Sequence, residues 1–150
     1  MPYLIETPVL VRLANPHDPE YVDAETAVLL LHRRGEALHI APQNLIEFRN
    51  VATRPAAANG LGLLPSAVEA QAAAFEKKFA LLPETPDIYP AWKTLVQAAG
   101  VTGKQVHDAR LVAICQVYGL THILTFNTRH FARLATFAPG LTVVEPADIV

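Results

Sequence analysis

Short apolar runs that alternate with helical patterns constrain this chain more than any other feature. Tyr3–Ile5, Leu38–Ala41, Leu81–Leu82, His122–Phe126 and Leu141–Val144 are each too short for a buried helix and read as strands. Between them apolar residues recur at helical spacing, as in Val22, Ala27, Val28 and Leu31, or Leu45, Phe48, Val51 and Ala52. Helix starts are marked by Thr7-Pro8, by Asp18-Pro19, by Pro42, and by Ser66 with Glu69 three residues on, a capping-box spacing. Gly100 and Gly119 close two further helices, expected over 87–99 and 108–118, and a short one is expected over 129–134. Residues 55–64 read as a loop. Strands that alternate with helices predict an α/β fold, a parallel sheet of about five short strands covered on both faces.

Length and composition agree. The 150 residues suit one domain over 1–150, with no internal repeat or dividing linker, and a hydrophobic fraction of 51% against 17% charged excludes disorder. A single cysteine rules out an internal disulfide framework and suits a reducing, cytoplasmic compartment. The opening Met1–Glu6 lacks the basic region of a signal peptide, and no apolar stretch approaches the roughly 20 residues of a membrane span. The net charge of −2 excludes nucleic-acid binding by bulk electrostatics. A nucleic-acid role would need a local cationic rim or an acidic site loaded with cations.

Three carboxylates fall where ligands bind in open parallel sheets, beyond the carboxyl ends of the strands. Glu6 directly follows the first strand, Glu47 lies in the early turns of the helix after the second, and Asp108 opens the helix before the fourth. Asp108 is followed at i+3, i+4 and i+7 by Leu111, Val112 and Cys115, so it shares an apolar stripe where an unpaired carboxylate is costly. Each acid also has a plainer explanation: a helix cap or dipole partner for Asp108 and Glu47, an ion pair of Glu47 with Arg49 or Arg54, a polar strand end for Glu6. Convergence favours a common site. Clustered carboxylates repel unless a cation neutralises them, and oxygen-only ligands suit Mg²⁺ or Mn²⁺. No His or Cys pattern suggests zinc, and no Gly-rich loop suggests a phosphate cradle.

Four segments then resemble, in order, the motifs of PIN domains. Tyr3-Leu4-Ile5-Glu6-Thr7-Pro8 resembles the opening strand and acidic turn, and Asn44-Leu45-Ile46-Glu47-Phe48 the second motif. His107-Asp108-Ala109-Arg110-Leu111 resembles the third, and Leu124-Thr125-Phe126-Asn127-Thr128-Arg129 the fourth; these two look like VapC-type toxins of toxin–antitoxin systems. The resemblance implies a three-layer α/β/α fold with Glu6, Glu47 and Asp108 as ligands of Mg²⁺ or Mn²⁺ and Asn127 assisting. It implies cleavage of single-stranded RNA, a homodimer, and a cognate antitoxin that blocks the site. Arg12, Arg49, Lys104, Arg110 and Arg129 could form a cationic rim.

The chain departs from the family pattern at two places. Glu6 stands where the family has Asp, with Pro8 in place of Asn, and the fourth segment has Asn127 and His130 but no carboxylate between Thr125 and Arg133. The alternative is therefore a catalytically weakened PIN-like domain that binds RNA or a protein without efficient cleavage. A doubly wound phosphatase ranks last, because it needs a nucleophilic Asp after the first strand.

Overall fold

A computed structural model describes residues 1–150. Five parallel strands, β1 (Pro2–Ile5), β2 (Ala37–Ile40), β3 (Ala80–Leu81), β4 (His122–Leu124) and β5 (Thr142–Val144), form one sheet in the order β3-β2-β1-β4-β5. Tyr3 pairs with Leu38 on one side and His122 on the other, which makes β1 the central strand. The chain leaves β1 toward β2 and β3, then returns to β4 and β5. The strand order therefore reverses between β1 and β4, and a crevice opens at their carboxyl ends, the place where open α/β sheets bind ligands.

Seven helices cover the sheet: α1 (Thr7–Leu13), α2 (Tyr21–Arg33), α3 (Pro42–Thr53), α4 (Pro65–Lys78), α5 (Ile88–Ala99), α6 (Gln105–Tyr118) and α7 (Thr128–Ala135). The two-residue period of the strands divides the core. Tyr3, Ile5 and Leu124 face one apolar cluster with Val28 and Leu31 of α2, Phe48 of α3 and Phe75 of α4. Leu4 and Ile123 face the other, with Leu95 of α5, Leu111, Ile114 and Cys115 of α6 and Phe131 of α7. This is the expected three-layer α/β/α arrangement. Cys115 is buried, and burial pushes its thiol up to about 12. No helix is long and apolar enough to cross a membrane.

Helix starts differ from the sequence expectation at four places. Asp18-Pro19 lies in a turn ahead of α2, which begins at Tyr21 with Glu20 before it. Glu6, not Thr7, is the residue before α1, which frees the Thr7 hydroxyl for other partners. Pro65 takes the first position of α4, so Ser66 lies inside the helix and Glu69 pairs with Arg49 instead of capping. A turn at Gly103, whose φ of +59° suits glycine, starts α6 at Gln105, so His107 and Asp108 sit within the first turn or so of the helix and not ahead of it. Residues 55–64 are irregular as expected, apart from a single 3-10 turn at Ala56–Ala58 and the N-terminal proximity of Pro65. The backbone N–H groups of Leu61, Gly62 and Leu63 return to Val51, Arg54 and Ala52 carbonyls, which straps the loop to α3.

Candidate functional site

The crevice beyond β1 and β4 is an open cleft of about 660 Å³, lined by Glu6, Glu47, Asp108, Asn127, Lys104 and His130 among others. All four residues expected from the sequence therefore meet in one place, although they come from the ends of β1 and β4 and from α3 and α6. Each is set by its element. Glu6 follows the last residue of β1 and its backbone N–H donates to the Leu124 carbonyl, 3.1 Å away on β4. Asn127 precedes α7 and is held by its own N–H, which donates to the Thr125 hydroxyl at 2.8 Å.

Glu6 is the most enclosed of the acids, only 4% exposed. Its Oε2 accepts a hydrogen bond from the Thr125 hydroxyl at 2.8 Å. Burial, reinforced by repulsion from Asp108 and Glu47, pushes its carboxyl up to about 8 against the pull of that hydrogen bond. At neutral pH without a cation Glu6 is therefore mostly protonated. Asp108 is also raised, first by burial and then by Glu47, with His130, His107 and Lys104 opposing. None of the three acids enters an ion pair.

Glu47 is held by two side chains. The Thr7 hydroxyl donates to Oε1 at 2.6 Å, and the Gln43 amide donates to Oε2 at 3.1 Å. Thr7 in turn accepts from Asn44 at 3.2 Å, and Asn44 Oδ1 accepts from the Ala41 N–H at 2.8 Å. Gln43 is buried between α3 and α6: its amide also donates to the His107 carbonyl at 2.8 Å, while its Oε1 accepts from Arg110 at 3.0 Å. Thr7, Gln43, Asn44 and Thr125 thus order Glu47 and Glu6, and sequence reasoning gave none of them a role in the site, reading Thr7 only as a helix cap. Gln43 carried a usable signal, since it precedes Glu47 by four residues on one helix face.

The three acids and Asn127 offer oxygen donors, which fit Mg²⁺ or Mn²⁺. A cation between the acids would offset the burial and crowding that hold Glu6 protonated. In this conformation no three of the chain's His, Cys, Asp or Glu side chains converge closely enough to hold one ion directly. An ion here would be held by one or two carboxylates and by water, as Mg²⁺ can be.

The expected cationic rim is only partly available. Arg49 is committed to Glu69 at 2.7 Å and Arg110 to Glu84 at 2.6 Å. Arg12 pairs with Glu20 at 3.2 Å and lies over the Phe126 ring. Lys104 and Arg129 are in no ion pair.

No protein-family model matches the chain, and no curated protein matches it. Solved structures match over nearly its whole length. The structure of VapBC2 from Rickettsia felis, bound to a DNA fragment from their promoter, is 15% identical with a TM-score of 0.69 over 97% of this chain and 98% of that one. VapC20 of Mycobacterium tuberculosis, a sarcin-ricin loop cleaving toxin, is 19% identical with a TM-score of 0.64 over 87% of this chain and 93% of that one. A toxin–antitoxin complex from Klebsiella pneumoniae is 22% identical with a TM-score of 0.65 over 96% and 97%. Identities this low establish the architecture alone, and the chain is accordingly a protein of the PIN-type α/β/α fold found in VapC toxins.

Proposed function

We propose that this protein is a metal-dependent endoribonuclease, the toxin of a toxin–antitoxin pair, acting on single-stranded RNA in the cytoplasm. The observation that carries the reading is the meeting of Glu6, Glu47 and Asp108 in one cleft with no basic partner, at the carboxyl ends of β1 and β4. Similarity to the sarcin-ricin loop cleaving VapC20 supports the nuclease assignment. Similarity to VapBC2 and to the Klebsiella complex supports a cognate antitoxin. A homodimer of single-domain chains completes the proposal.

In this reading Asp108, Glu47 and Glu6 are the residues that would hold Mg²⁺ or Mn²⁺, in part through water. When bound, the ion supplies positive charge at the scissile phosphate and makes a water acidic enough to attack near neutral pH. Thr7 and Gln43 keep both oxygens of Glu47 fixed, so that its carboxylate does not swing out of the cleft. Thr125 orients Glu6. The Asn127 side chain, 3.1 Å from His130 Nδ1, offers an uncharged polar group at the mouth of the cleft to orient water or phosphate. The test is cleavage of a panel of single-stranded RNAs with Mg²⁺ or Mn²⁺, with EDTA and Asp108→Ala as controls. Cleavage that survives both overturns the mechanism.

The burial of Glu6 favours a second reading, a weakened site that binds RNA or a protein without efficient turnover. Its longer arm ends in a hydrogen bond to Thr125 with the carboxyl raised to about 8. Under this reading Glu6→Asp restores cleavage to an inactive protein. If the wild-type protein already cleaves RNA, the second reading is wrong.

A further inference from the structure

We propose that Arg129 and Arg133, with Gln105, form a separate binding subsite for a backbone phosphate of the RNA strand flanking the one that is cut. The proposal rests on the ribonuclease reading for its substrate class, but not for its geometry. Beside the acidic cleft lies a smaller and more enclosed pocket of about 220 Å³, lined by Gln105, Arg129, His130, Arg133 and Leu134. Gln105 and His130 line both spaces, so the two are continuous.

The chemistry of the small pocket is opposite to that of the cleft. It contains two guanidinium groups and no carboxylate. Arg129 and Arg133 are four residues apart on α7 and so share a face of that helix. Neither enters an ion pair, unlike Arg12, Arg49 and Arg110. Arg133 is preorganised, because one of its nitrogens donates to the Ala99 carbonyl at the end of α5, 2.7 Å away. Its remaining donors face a pocket whose other charged wall is Arg129. Two unneutralised guanidinium groups in a small cavity are stabilised by an anion, and their planar forks match phosphate oxygens.

Charge distinguishes this pocket from a larger cleft of about 480 Å³ on the α1 side, which also holds two arginines, Arg12 and Arg54. There Asp18 lies 3.9 Å and Glu20 3.2 Å from the Arg12 guanidinium and offset its charge. Both spaces adjoin the acidic cleft, the α1 cleft through Thr7, Pro8 and Val51, but of the two the α7 pocket is the one whose arginines are not offset by acids. A strand whose scissile phosphate lies among the acids needs such an anchor, because its other phosphates are repelled by the same carboxylates.

The experiment measures binding of a fluorescently labelled single-stranded oligoribonucleotide to the whole chain, with Ca²⁺ replacing Mg²⁺ and intact RNA confirmed by gel. Arg129→Gln and Arg133→Gln should each weaken binding roughly tenfold, the loss of one charge-assisted contact. Each should also lower the slope of log affinity against log salt by about 0.7. A single methylphosphonate linkage, scanned along the RNA, should reproduce the loss at one position in the wild type and cost nothing more in Arg129→Gln. Arg33→Gln, at the end of α2 ahead of the amino end of β2 and so away from the carboxyl-end cleft, should change neither quantity. Arg129 is exposed and enters no ion pair, so Arg129→Gln decides the matter even if Arg133→Gln, which loses the Ala99 contact, folds poorly. Wild-type affinity and slope in Arg129→Gln, or no RNA binding by the wild type, overturns the subsite. Binding that depends on Arg129 without cleavage under any metal upholds the subsite and overturns the nuclease reading. Metal-dependent cleavage with an unchanged KM in Arg129→Gln does the reverse.

Discussion

The two ends of β1 and β4 are built from the same pair of strands but treat polar groups in opposite ways. At the amino end, Tyr3 stacks on His122 with ring centroids 4.7 Å apart, and the Thr121 hydroxyl lies 2.7 Å from His122 Nδ1. The Thr121 N–H donates to the Pro2 carbonyl at 3.1 Å. At the carboxyl end, Glu6, Glu47 and Asp108 share one cleft with hydroxyl and amide partners but no ion pair. One end is satisfied within the chain, and the other is left in want of a charge that the chain does not supply. The difference locates function, because clustered carboxylates without basic partners are costly to maintain for folding alone.

The largest effect that would sharpen this contrast is Asp108→Asn. Cleavage should fall by about a thousandfold, more than the roughly 10–100-fold typical of a group one layer removed from a metal, with the far-UV circular dichroism unchanged. An active Asp108→Asn protein would remove the carboxyl end's claim to be the catalytic one.

Next comes the pH dependence of stability, in which the two ends should move in opposite directions. Glu6 has a folded value of about 8 against 4.5 as a free side chain, so the folded state binds its proton more tightly than the unfolded state. Its contribution is fully present below pH 4.5 and is lost as pH rises from there toward 8. In EDTA, Glu6→Gln should therefore match the wild type near pH 4.5 and exceed it at pH 8 by an amount on the order of a few kcal/mol. Urea melts at several pH values measure this, and added Mg²⁺ should narrow the gap. His122 is lowered by burial from 6.5, so its contribution is lost as pH falls below 6.5. A Glu6→Gln curve parallel to that of the wild type would show that the cleft holds no strained carboxyl.

Gln43→Ala should cost less. Loss of its bonds to Glu47 and the His107 carbonyl frees the Glu47 carboxylate and unties α3 from α6. Cleavage should fall about 10–100-fold and stability by about 1–2 kcal/mol, read from single-turnover rates and urea melts. Smallest is His122→Phe at the amino end, which keeps an aromatic ring against Tyr3. It should change stability at pH 7 by no more than about 1 kcal/mol and leave cleavage intact. A large loss of cleavage there would break the division between the two ends.

The sequence made the sheet legible because each strand is a short apolar run next to a helix start, and the acids legible because they stand at strand ends. The errors came where a neighbour overrode a local signal. Pro65 displaced Ser66 as the start of α4, since its fixed φ suits the first helical position. The Gly103 turn started α6 three residues before Asp108, so that acid lies within the helix and not at its cap. Thr7 and Thr125 escaped notice because their roles are contacts across 40 and 119 residues of sequence, and the contact of Gln43 with the His107 carbonyl spans 64, although its four-residue spacing to Glu47 was readable. The long-range pairings have no local period to read. The same holds for the fate of Arg49 and Arg110, whose charge is spent on Glu69 and Glu84.

Cys115 has a practical consequence. It is the chain's single thiol, and it is buried, only 1% exposed, in the layer formed by α5, α6 and α7 with its ionisation suppressed. A folded molecule should be almost inert to alkylation, because the thiolate is the reactive form and reagent has no access to it. Labelling then reports only molecules that have opened that layer, and its rate reads the opening free energy when reclosing is fast. The protein therefore carries a built-in clock for unfolding, at a position remote from the acids, against which the effect of metal, RNA or antitoxin on the whole fold can be timed without adding a probe.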